Sequence, residues 1–442
     1  MWVKYLFGLM VLFSFSACKK VNPNFQAEAA NTQNYHTAVN TLTDVIIHDI
    51  FSPPIAARNY VYSCIAGYEA ARHMDAKYAS LQGQINHMPE MPKPEEGKEY
   101  CYPLASLTAF THTAQKYIFS EDSIIALDNR LMKWFDELNM PEDVKERSVA
   151  YGLAVADAVK KWSDKDNYAQ TRSNPKFTVT DEPGRWKPTP PAYMDGIEPS
   201  WNQIRTMLLD SAQQFKPTPP TTFSTDKNSQ FYKDAMLVYE TGKNLTDEQD
   251  EIANFWDCNP YKMNVIGHVM HASKKITPGG HWMGIAGQAA RKNNSDFVHT
   301  TYAYMMTSLG LFDGFISCWD EKYRSNLIRP ESYINQYIDE SWVPLLQTPP
   351  FPEHTSGHSV VSGAASTILT NVFGDNFAFA DSTEIQFGLP VRSYTSFNQA
   401  ADEAAISRMY GGIHYIPAIE FGLVQGRGVG SWILSKVDLI KE

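Results

Sequence analysis

The sequence has few cysteines and no excess of positive charge, and both shortages exclude whole classes of protein. Only 5 of the 442 residues are cysteine, and they form no Cys-x-x-Cys pair or Cys/His spacing typical of a zinc site. The formal net charge is -11, with 38 lysines and arginines against 49 aspartates and glutamates. Because no nucleic-acid-binding motif accompanies this acidic balance, we expect no binding to DNA or RNA.

Long apolar runs are also missing, apart from one at the N-terminus. Residues 5–17 are apolar, follow Lys4 and end in Ser16-Ala17 before Cys18. The run is too short to span a bilayer comfortably and is typical of an export signal. Small residues before a cysteine resemble a bacterial lipoprotein signal, in which Cys18 is lipidated. We therefore expect a signal peptide over 1–18, a polar tether over 19–35, and a location in the periplasm or outer membrane through a lipid anchor only. An uncleaved anchor or a plain secretion signal is the alternative.

The cysteines that follow the signal have two possible states. An oxidising compartment permits disulfides, and four cysteines allow three full pairings, between which the sequence does not choose. We expect either buried thiols or one or two bridges among Cys64, Cys101, Cys258 and Cys318.

Helical periodicity is what the sequence has in abundance. Hydrophobic residues make up 43% of the chain, which is ample for a core. They recur at helical spacing, as in Val155, Val159 and Trp162, whereas the alternation typical of strands is scarce. Proline clusters in long loops such as "EPGRWKPTPPAYMDG" and "QTPPFPEH". We predict an all-α fold with long Pro-rich loops, with an N-terminal helical half over 36–200 and a half over 201–442 that carries the chemistry.

The stretch "PPFPEHTSGHSVVSGAAS", residues 349–366, is the most distinctive of the chain. A Pro-rich turn with His354 and His358 runs into small and β-branched residues typical of a buried helix. Ser356 and Gly357 lie where this helix is expected to begin, and a helix N-terminus favours a bound anion. The stretch therefore predicts an oxyanion site, in which His354 either tunes the pocket or is a loop residue.

Two further clusters supply cations and another histidine. "KYRSNLIRP" places Lys322 and Arg329 seven residues apart, close to two helical turns, so that both are expected on one helix face. "SRMYGGIH" supplies Arg408 and His414. Three cations, a serine hydroxyl and a glycine N–H can surround a tetrahedral oxyanion. Two histidines, His358 and His414, are then left to bond its central atom and to move a proton.

The three clusters resemble the motifs of the type 2 phosphatidic acid phosphatase and vanadium haloperoxidase superfamily. Those motifs are K-x6-R-P, P-S-G-H and S-R-x5-H-x3-D. The resemblance implies a large helical bundle of the acid phosphatase/vanadium haloperoxidase type, and the lack of spanning runs favours the haloperoxidase-like branch. The matching residues are, in order, Lys322, Arg329 and Pro330; Ser356, Gly357 and His358, with Thr355 in place of proline; and Ser407, Arg408 and His414.

The resemblance implies one of two activities. If the oxyanion is a vanadate cofactor, His414 coordinates vanadium, His358 is the acid/base toward peroxide, and a halide is oxidised to a hypohalous species. If it is the phosphate of a phosphomonoester substrate, no cofactor is needed, His414 attacks phosphorus and His358 protonates the leaving oxygen. In both cases the oxyanion oxygens are held by Lys322, Arg329, Ser356, Gly357 and Arg408.

One position departs from the superfamily pattern. The aspartate usual four residues after the last histidine is Ala418 here. A carboxylate at that position orients the imidazole and strengthens it as a ligand or nucleophile. Asp313 and Asp320 are the candidates to replace it. The alternative is a degenerate lipoprotein that binds an oxyanion without catalysis.

A second group of histidines offers a separate hypothesis. "HVMHASKKITPGGH" contains His268, His271 and His281, the first two at i,i+3 on an expected helix face. A divalent metal site is conceivable there, although no neighbouring aspartate or glutamate completes it. The alternative is that these histidines line the oxyanion pocket or lie hydrogen-bonded in the core.

Overall fold

Helices account for most of the described chain, which comprises residues 20–266 and 268–441 of a computed structural model. The all-α prediction is confirmed, since the strands form only two short antiparallel hairpins in this part of the chain. The strands are β1 Lys262–Ile266 and β2 Val269–Ser273, then β3 Phe379–Asp381 and β4 Arg392–Tyr394. The helices are α1 Phe25–Ala29, α2 Thr32–His48, α3 Pro53–Ala71, α4 Tyr102–Ala114, α5 Glu121–Glu137, α6 Glu142–Ser163, α7 Tyr168–Thr171, α8 Gln230–Lys243, α9 Asp247–Phe255, α10 Pro278–Lys292, α11 Phe297–Ser325, α12 Pro330–Tyr337, α13 Gly357–Phe373, α14 Phe397–Tyr410 and α15 Ile416–Lys436.

The 29-residue helix α11 lies at the centre of the fold and is buried along most of its length. It begins after Asp296, whose side chain accepts a hydrogen bond from the His299 N–H at 2.7 Å. Helices α3, α10, α13 and α15 pack around it. A helix that is apolar on all sides must be enclosed in this way. As a result, the C-terminal end of α11, with Lys322, lies in the interior of the protein.

Helices α13 and α15 approach each other closely because small residues line their contact. A Cβ added at Gly426 would lie 2.0 Å from the Val360 carbonyl oxygen, so only glycine fits there. At the other end of the contact, the Ser356 N–H donates to the Ala418 carbonyl at 3.0 Å. The start of α13 is therefore fixed against the first turn of α15.

The predicted division of the chain differs from the packing in one respect. The segment expected to be a polar tether over 19–35 contains α1, in which Phe25 and Ala29 are buried. These residues belong to a hydrophobic core that continues into α11, α13 and α15. From Phe25 onward the segment is therefore part of the folded body, and the two predicted halves share one core.

The segment around His268 is a hairpin and not the helix that we expected. Strands β1 and β2 pair antiparallel, with Lys262 opposite Ser273. A short run such as "MNVIGHVMHA" does not distinguish a buried strand from a helix by periodicity alone. The side chain of His271 lies outside the described part of the molecule.

The four cysteines after the signal are buried free thiols, so the disulfide alternative is wrong for Cys64, Cys101, Cys258 and Cys318. Cys18 lies outside the described residues, and its lipidation and the export of the protein stay predictions. Among the described helices, none combines the length and the apolar character that crossing a bilayer requires.

The buried histidine His36 makes the stability of the fold dependent on pH. Its Nδ1 lies 2.8 Å from the Tyr304 hydroxyl, and its Nε2 has no partner among the described residues. Burial, with the charge of Arg291, lowers the pKa of His36 to about 3. His36 has the higher pKa in the unfolded chain, so folding keeps the ring neutral where the unfolded chain would bind a proton. The contribution of neutral His36 to the free energy of unfolding is therefore complete above pH 6.5 and is lost as the pH falls toward 3.

We expect the free energy of unfolding to fall by about 2 kcal/mol more in the wild type than in a His36→Gln variant between pH 7 and pH 5. Urea unfolding of both proteins at the two pH values measures the difference. An equal fall in both proteins would show that His36 is not the group that takes up the proton.

Candidate active site

The predicted oxyanion turn forms a helix start, as the sequence indicates. Ser356 is the N-terminal cap of α13, and its side chain accepts a hydrogen bond from the Ser359 N–H at 3.3 Å. Gly357 and His358 are the first two residues of the helix. The backbone N–H groups of this first turn, with the positive end of the helix dipole, face the site.

Lys322 and Arg329 do not share a helix face, so that expectation is wrong. Helix α11 ends at Ser325, because Asn326 adopts the left-handed conformation with φ 47°. Arg329 lies beyond this break, directly before Pro330 at the start of α12. The chain reversal nevertheless brings the Arg329 guanidinium to His414, 85 residues further along the sequence.

His414 is held in one orientation by a carboxylate and a guanidinium. Its Nδ1 lies 2.8 Å from Glu353 Oε1, and its Nε2 lies 3.1 Å from Arg329 Nη1. A carboxylate oxygen accepts and a guanidinium only donates, so Nδ1 carries the proton and Nε2 the lone pair. Burial, followed by the charge of Arg329, holds the pKa of His414 well below its ordinary value. The ring is therefore neutral at pH 7 and has the protonation state of a ligand or nucleophile.

Glu353 supplies the carboxylate that is missing at Ala418. It is fully buried, and its Oε1 also accepts the Tyr415 N–H at 3.0 Å. Its Oε2 has no partner among the described residues. Burial raises the pKa of Glu353 to about 7, against the opposing charges of Arg329 and Lys322. A carboxylate on the far nitrogen of a ligating histidine fixes the tautomer and raises its basicity.

The two carboxylates named from the sequence have other partners, so that expectation is wrong. Asp313 accepts the backbone N–H groups of residues 207–209 at 2.7–3.0 Å. Asp320 bonds the side chains of Asn202 and Arg324. Sequence reasoning passed over Glu353, although it lies in the quoted turn one residue before His354. No spacing rule connects it with His414, 61 residues away.

Lys322 fastens the turn that carries Glu353. Its Nζ lies 3.1 Å from the carbonyl oxygens of Pro352 and Glu353, and 2.5 Å from that of Thr355. These three carbonyls match the three protons of an ammonium group. Burial lowers the pKa of Lys322 to about 7. The structure thus gives Lys322 a role in shaping the turn, and its contact with an oxyanion stays a prediction.

His358 and Arg408 form the other side of the site. Arg408 Nη1 lies 3.3 Å from His358 Nε2, and Arg408 Nε donates to the Ser407 hydroxyl at 3.1 Å. The His358 ring also hydrogen-bonds the backbone of Trp256. Burial and the charge of Arg408 hold the pKa of His358 well below its ordinary value. A neutral His358 can accept a proton at pH 7.

A cleft leads to these residues. Its lining includes aromatic side chains, among them Trp319, Phe351 and Tyr261. An apolar wall with a few convergent polar groups is the usual form of a small-molecule site. The predicted residues that line this cleft are Gly357, His358, Arg408 and His414.

The site fits a tetrahedral oxyanion such as vanadate. Arg329 is fully buried, and its Nη2 has no hydrogen-bond partner within the described part of the chain. A buried unpaired donor is costly unless a ligand accepts its hydrogen bond. The His414 Nε2 lone pair lies next to the same guanidinium. An anion with a central atom that His414 can bond would satisfy both groups.

The remaining histidines do not belong to this site. His354 is buried, its Nε2 lies 3.0 Å from the Thr218 carbonyl oxygen, and it lines a separate small cavity. This arrangement favours the loop-residue interpretation of His354. The predicted group of three histidines is not formed by the described side chains, because His268 is exposed whereas His281 is buried. His281 contacts instead the carboxylates of Asp381 and Glu384, which the sequence did not indicate.

Comparisons with known proteins bear on the fold and the family of the chain. A family model described as the VCPO second helical-bundle domain matches residues 302–441. Crystal structures of apo-type and holo-type bacterial vanadium-dependent chloroperoxidase are 16% and 14% identical, both with a TM-score of 0.66. The match to the apo-type structure covers 87% of this chain and 94% of that chain. The match to the holo-type structure covers 96% of this chain and 98% of that chain. At such identities the likeness shows the fold alone. No protein with a curated description matches the sequence.

One similar structure is much nearer in sequence. The crystal structure described as the first bacterial vanadium-dependent iodoperoxidase is 53% identical and superposes with a TM-score of 0.88. The match covers 93% of this chain and 98% of that chain. Since identity at this level over almost the whole of both chains implies common descent, the chain belongs to the vanadium-dependent haloperoxidase family.

Proposed function

We propose that the protein is a vanadate-dependent peroxidase that oxidises iodide with hydrogen peroxide. The observation that carries the proposal is the buried pair formed by the His414 Nε2 lone pair and the Arg329 guanidinium with its unpartnered Nη2. Both groups are buried side by side, and His414 lines the cleft. The choice of iodide is supported by the 53% identical structure, which is described as an iodoperoxidase. Iodide is also more easily oxidised than bromide or chloride.

Each residue of the site has a proposed part in holding vanadate. His414 Nε2 is placed to ligate vanadium, and Glu353 keeps the lone pair on that nitrogen. Arg329 brings charge and N–H donors beside His414, and Arg408 does so beside His358. The hydroxyl of Ser356 and the N–H of Gly357 lie at the helix start. When bound, vanadate supplies the activation of peroxide toward the halide.

His358 is the residue proposed to transfer the proton. The overall reaction converts hydrogen peroxide, iodide and one proton to hypoiodous acid and water. His358 lines the cleft and is neutral at pH 7, so it can take a proton from peroxide as the latter enters. Arg408 at 3.3 Å disfavours the charged form of His358, so the ring returns the proton readily.

The test compares halide oxidation with phosphoester hydrolysis in one preparation. Protein stripped of vanadate is assayed with peroxide and iodide, bromide or chloride, before and after addition of vanadate. The same protein is assayed for hydrolysis of p-nitrophenyl phosphate. We expect vanadate to raise iodide oxidation at least about 100-fold, since the cofactor carries the difficult chemistry. Bromide should be a much poorer substrate, and phosphate should compete with vanadate.

Two results would contradict the proposal in different ways. Hydrolysis of the phosphoester that vanadate inhibits would make the protein a phosphatase with a phosphohistidine at His414. Binding of vanadate without oxidation of any halide would leave an oxyanion-binding protein without catalysis. Bromide oxidation faster than iodide oxidation would overturn only the choice of halide.

A further inference from the structure

Behind one wall of the cleft lies a cluster of side chains that the haloperoxidase reaction does not use. Cys258 Sγ lies 3.5 Å from His281 Nδ1 and 3.9 Å from Glu384 Oε1, and the same His281 nitrogen lies 2.9 Å from that oxygen. All three side chains are buried. A thiol, an imidazole nitrogen and a carboxylate oxygen thus all lie within 4.8 Å of one another, close enough to share one metal ion.

The separations suit a tetrahedral zinc ion. Zinc binds sulfur at about 2.3 Å and nitrogen or oxygen at about 2.0–2.2 Å. Neighbouring ligand atoms of such a tetrahedron are roughly 3.3–3.6 Å apart. The observed separations of 2.9, 3.5 and 3.9 Å lie around this range. Three protein ligands leave a fourth position for water.

The second nitrogen of His281 is held as in many metal sites. His281 Nε2 lies 2.7 Å from Asp381 Oδ2, and Asp381 is itself fixed by the Thr383 N–H at 2.9 Å. The Trp256 indole stacks on the imidazole with ring centroids 4.3 Å apart. Metal-ligating histidines commonly donate their other N–H to a carboxylate in this way, which directs the remaining lone pair at the ion. The direction observed here is toward Cys258 and Glu384.

The charges of the cluster are compatible with a divalent cation. Without an ion, two buried carboxylates surround one imidazole, and a single Nδ1 proton faces both Glu384 and Cys258. A thiolate and a glutamate together neutralise a divalent cation, and Asp381 remains paired with the histidine. We propose that Cys258, His281 and Glu384 bind one zinc ion, or a similar borderline-soft divalent cation, as a structural site.

The position of the cluster indicates what the ion would stabilise. Cys258 lines the cleft, and two residues before it the Trp256 backbone bonds the His358 ring. His281 belongs to α10, and Glu384 follows the strand β3. One ion would therefore connect three separate segments behind His358. The inference is independent of the halide and of vanadate, because it rests on the separations among these three side chains and not on the residues assigned to hold the oxyanion.

The experiment is a metal analysis of the full protein kept free of vanadate. The protein is loaded with zinc, dialysed and measured by mass spectrometry, and a second sample is loaded with cobalt. We expect about one zinc per chain in the wild type and a sulfur-to-cobalt charge-transfer band in its near-ultraviolet spectrum. Cys258→Ser and Glu384→Gln should each lose most of the zinc, and Cys258→Ser should lose the cobalt band. Cys64→Ser, which removes another buried thiol, should keep both.

Two results of the metal analysis would overturn the zinc assignment. A wild-type protein with native circular dichroism that retains no stoichiometric zinc and shows no cobalt–thiolate band would make the cluster a hydrogen-bonded network without a metal. Because this readout needs only the wild type, a variant that fails to fold leaves the inference testable. Zinc retained equally in the Cys258→Ser and Glu384→Gln variants would also overturn the assignment.

Discussion

A Glu353→Gln variant is expected to bind vanadate about 10–100-fold more weakly than the wild type, the usual cost of losing the partner of a ligating histidine. Glutamine keeps the size of the side chain and can still accept the Tyr415 N–H through its amide oxygen. It removes the charge that favours the protonated Nδ1 of His414. Nε2 then becomes a weaker ligand, because a neutral amide raises the basicity of the imidazole less than a carboxylate does.

Vanadate affinity and thermal stability, measured on the same samples, separate this positioning role from a general loss of structure. The control is Asp320→Asn, which alters another buried carboxylate with partners away from His414. We expect the control to bind vanadate within about threefold of the wild type, because substitutions at sites without shared partners have independent effects. Equal affinities of the Glu353→Gln variant and the wild type would show that Glu353 does not act through His414.

A His414→Ala variant is expected to lose vanadate-dependent iodide oxidation by at least about 1,000-fold, because it removes the side chain assigned to bond vanadium and removal of such a group costs several kcal/mol. The guanidiniums and the helix start still attract an anion, so weak binding of phosphate or vanadate should persist. Such residual anion binding would distinguish loss of the vanadium ligand His414 from collapse of the site.

The matched control is His354→Gln, which changes a buried histidine of the same turn that contacts the Thr218 carbonyl and not the cleft. It should keep its vanadate affinity. If His414→Ala retained wild-type oxidation of iodide, His414 would not be the vanadium ligand, and the assignment of the third motif would fail.

The residues that the sequence could identify are those whose chemistry and local spacing agree. Ser356 and Gly357 precede a run that can only begin a helix there, so their place at its N-terminus followed directly. His358, Arg408 and His414 were recognised from motifs, and the fold brings them to one cleft. The all-helical class followed from periodicity summed over many segments, which is a strong signal.

What the sequence could not give depends on backbone turns and distant contacts. A single left-handed residue, Asn326, ends α11 and moves Arg329 off the face of Lys322, although the spacing alone favours a continuous helix. Glu353 reaches His414 from a Pro-rich loop, and the carboxylate partners of His281 lie 100 residues or more away. Side chains that meet through tertiary packing leave no periodic trace in a sequence.

The central claim is that the buried pair of His414 and Arg329 holds vanadate. Calorimetric titration of vanadate-free wild-type protein with vanadate tests it most directly, with the His414→Ala variant as the reference. The account predicts saturable binding of one vanadate per chain that phosphate weakens, and binding at least about 100-fold weaker in the variant. No saturable binding by the wild type, or equal affinity in the two proteins, would contradict it.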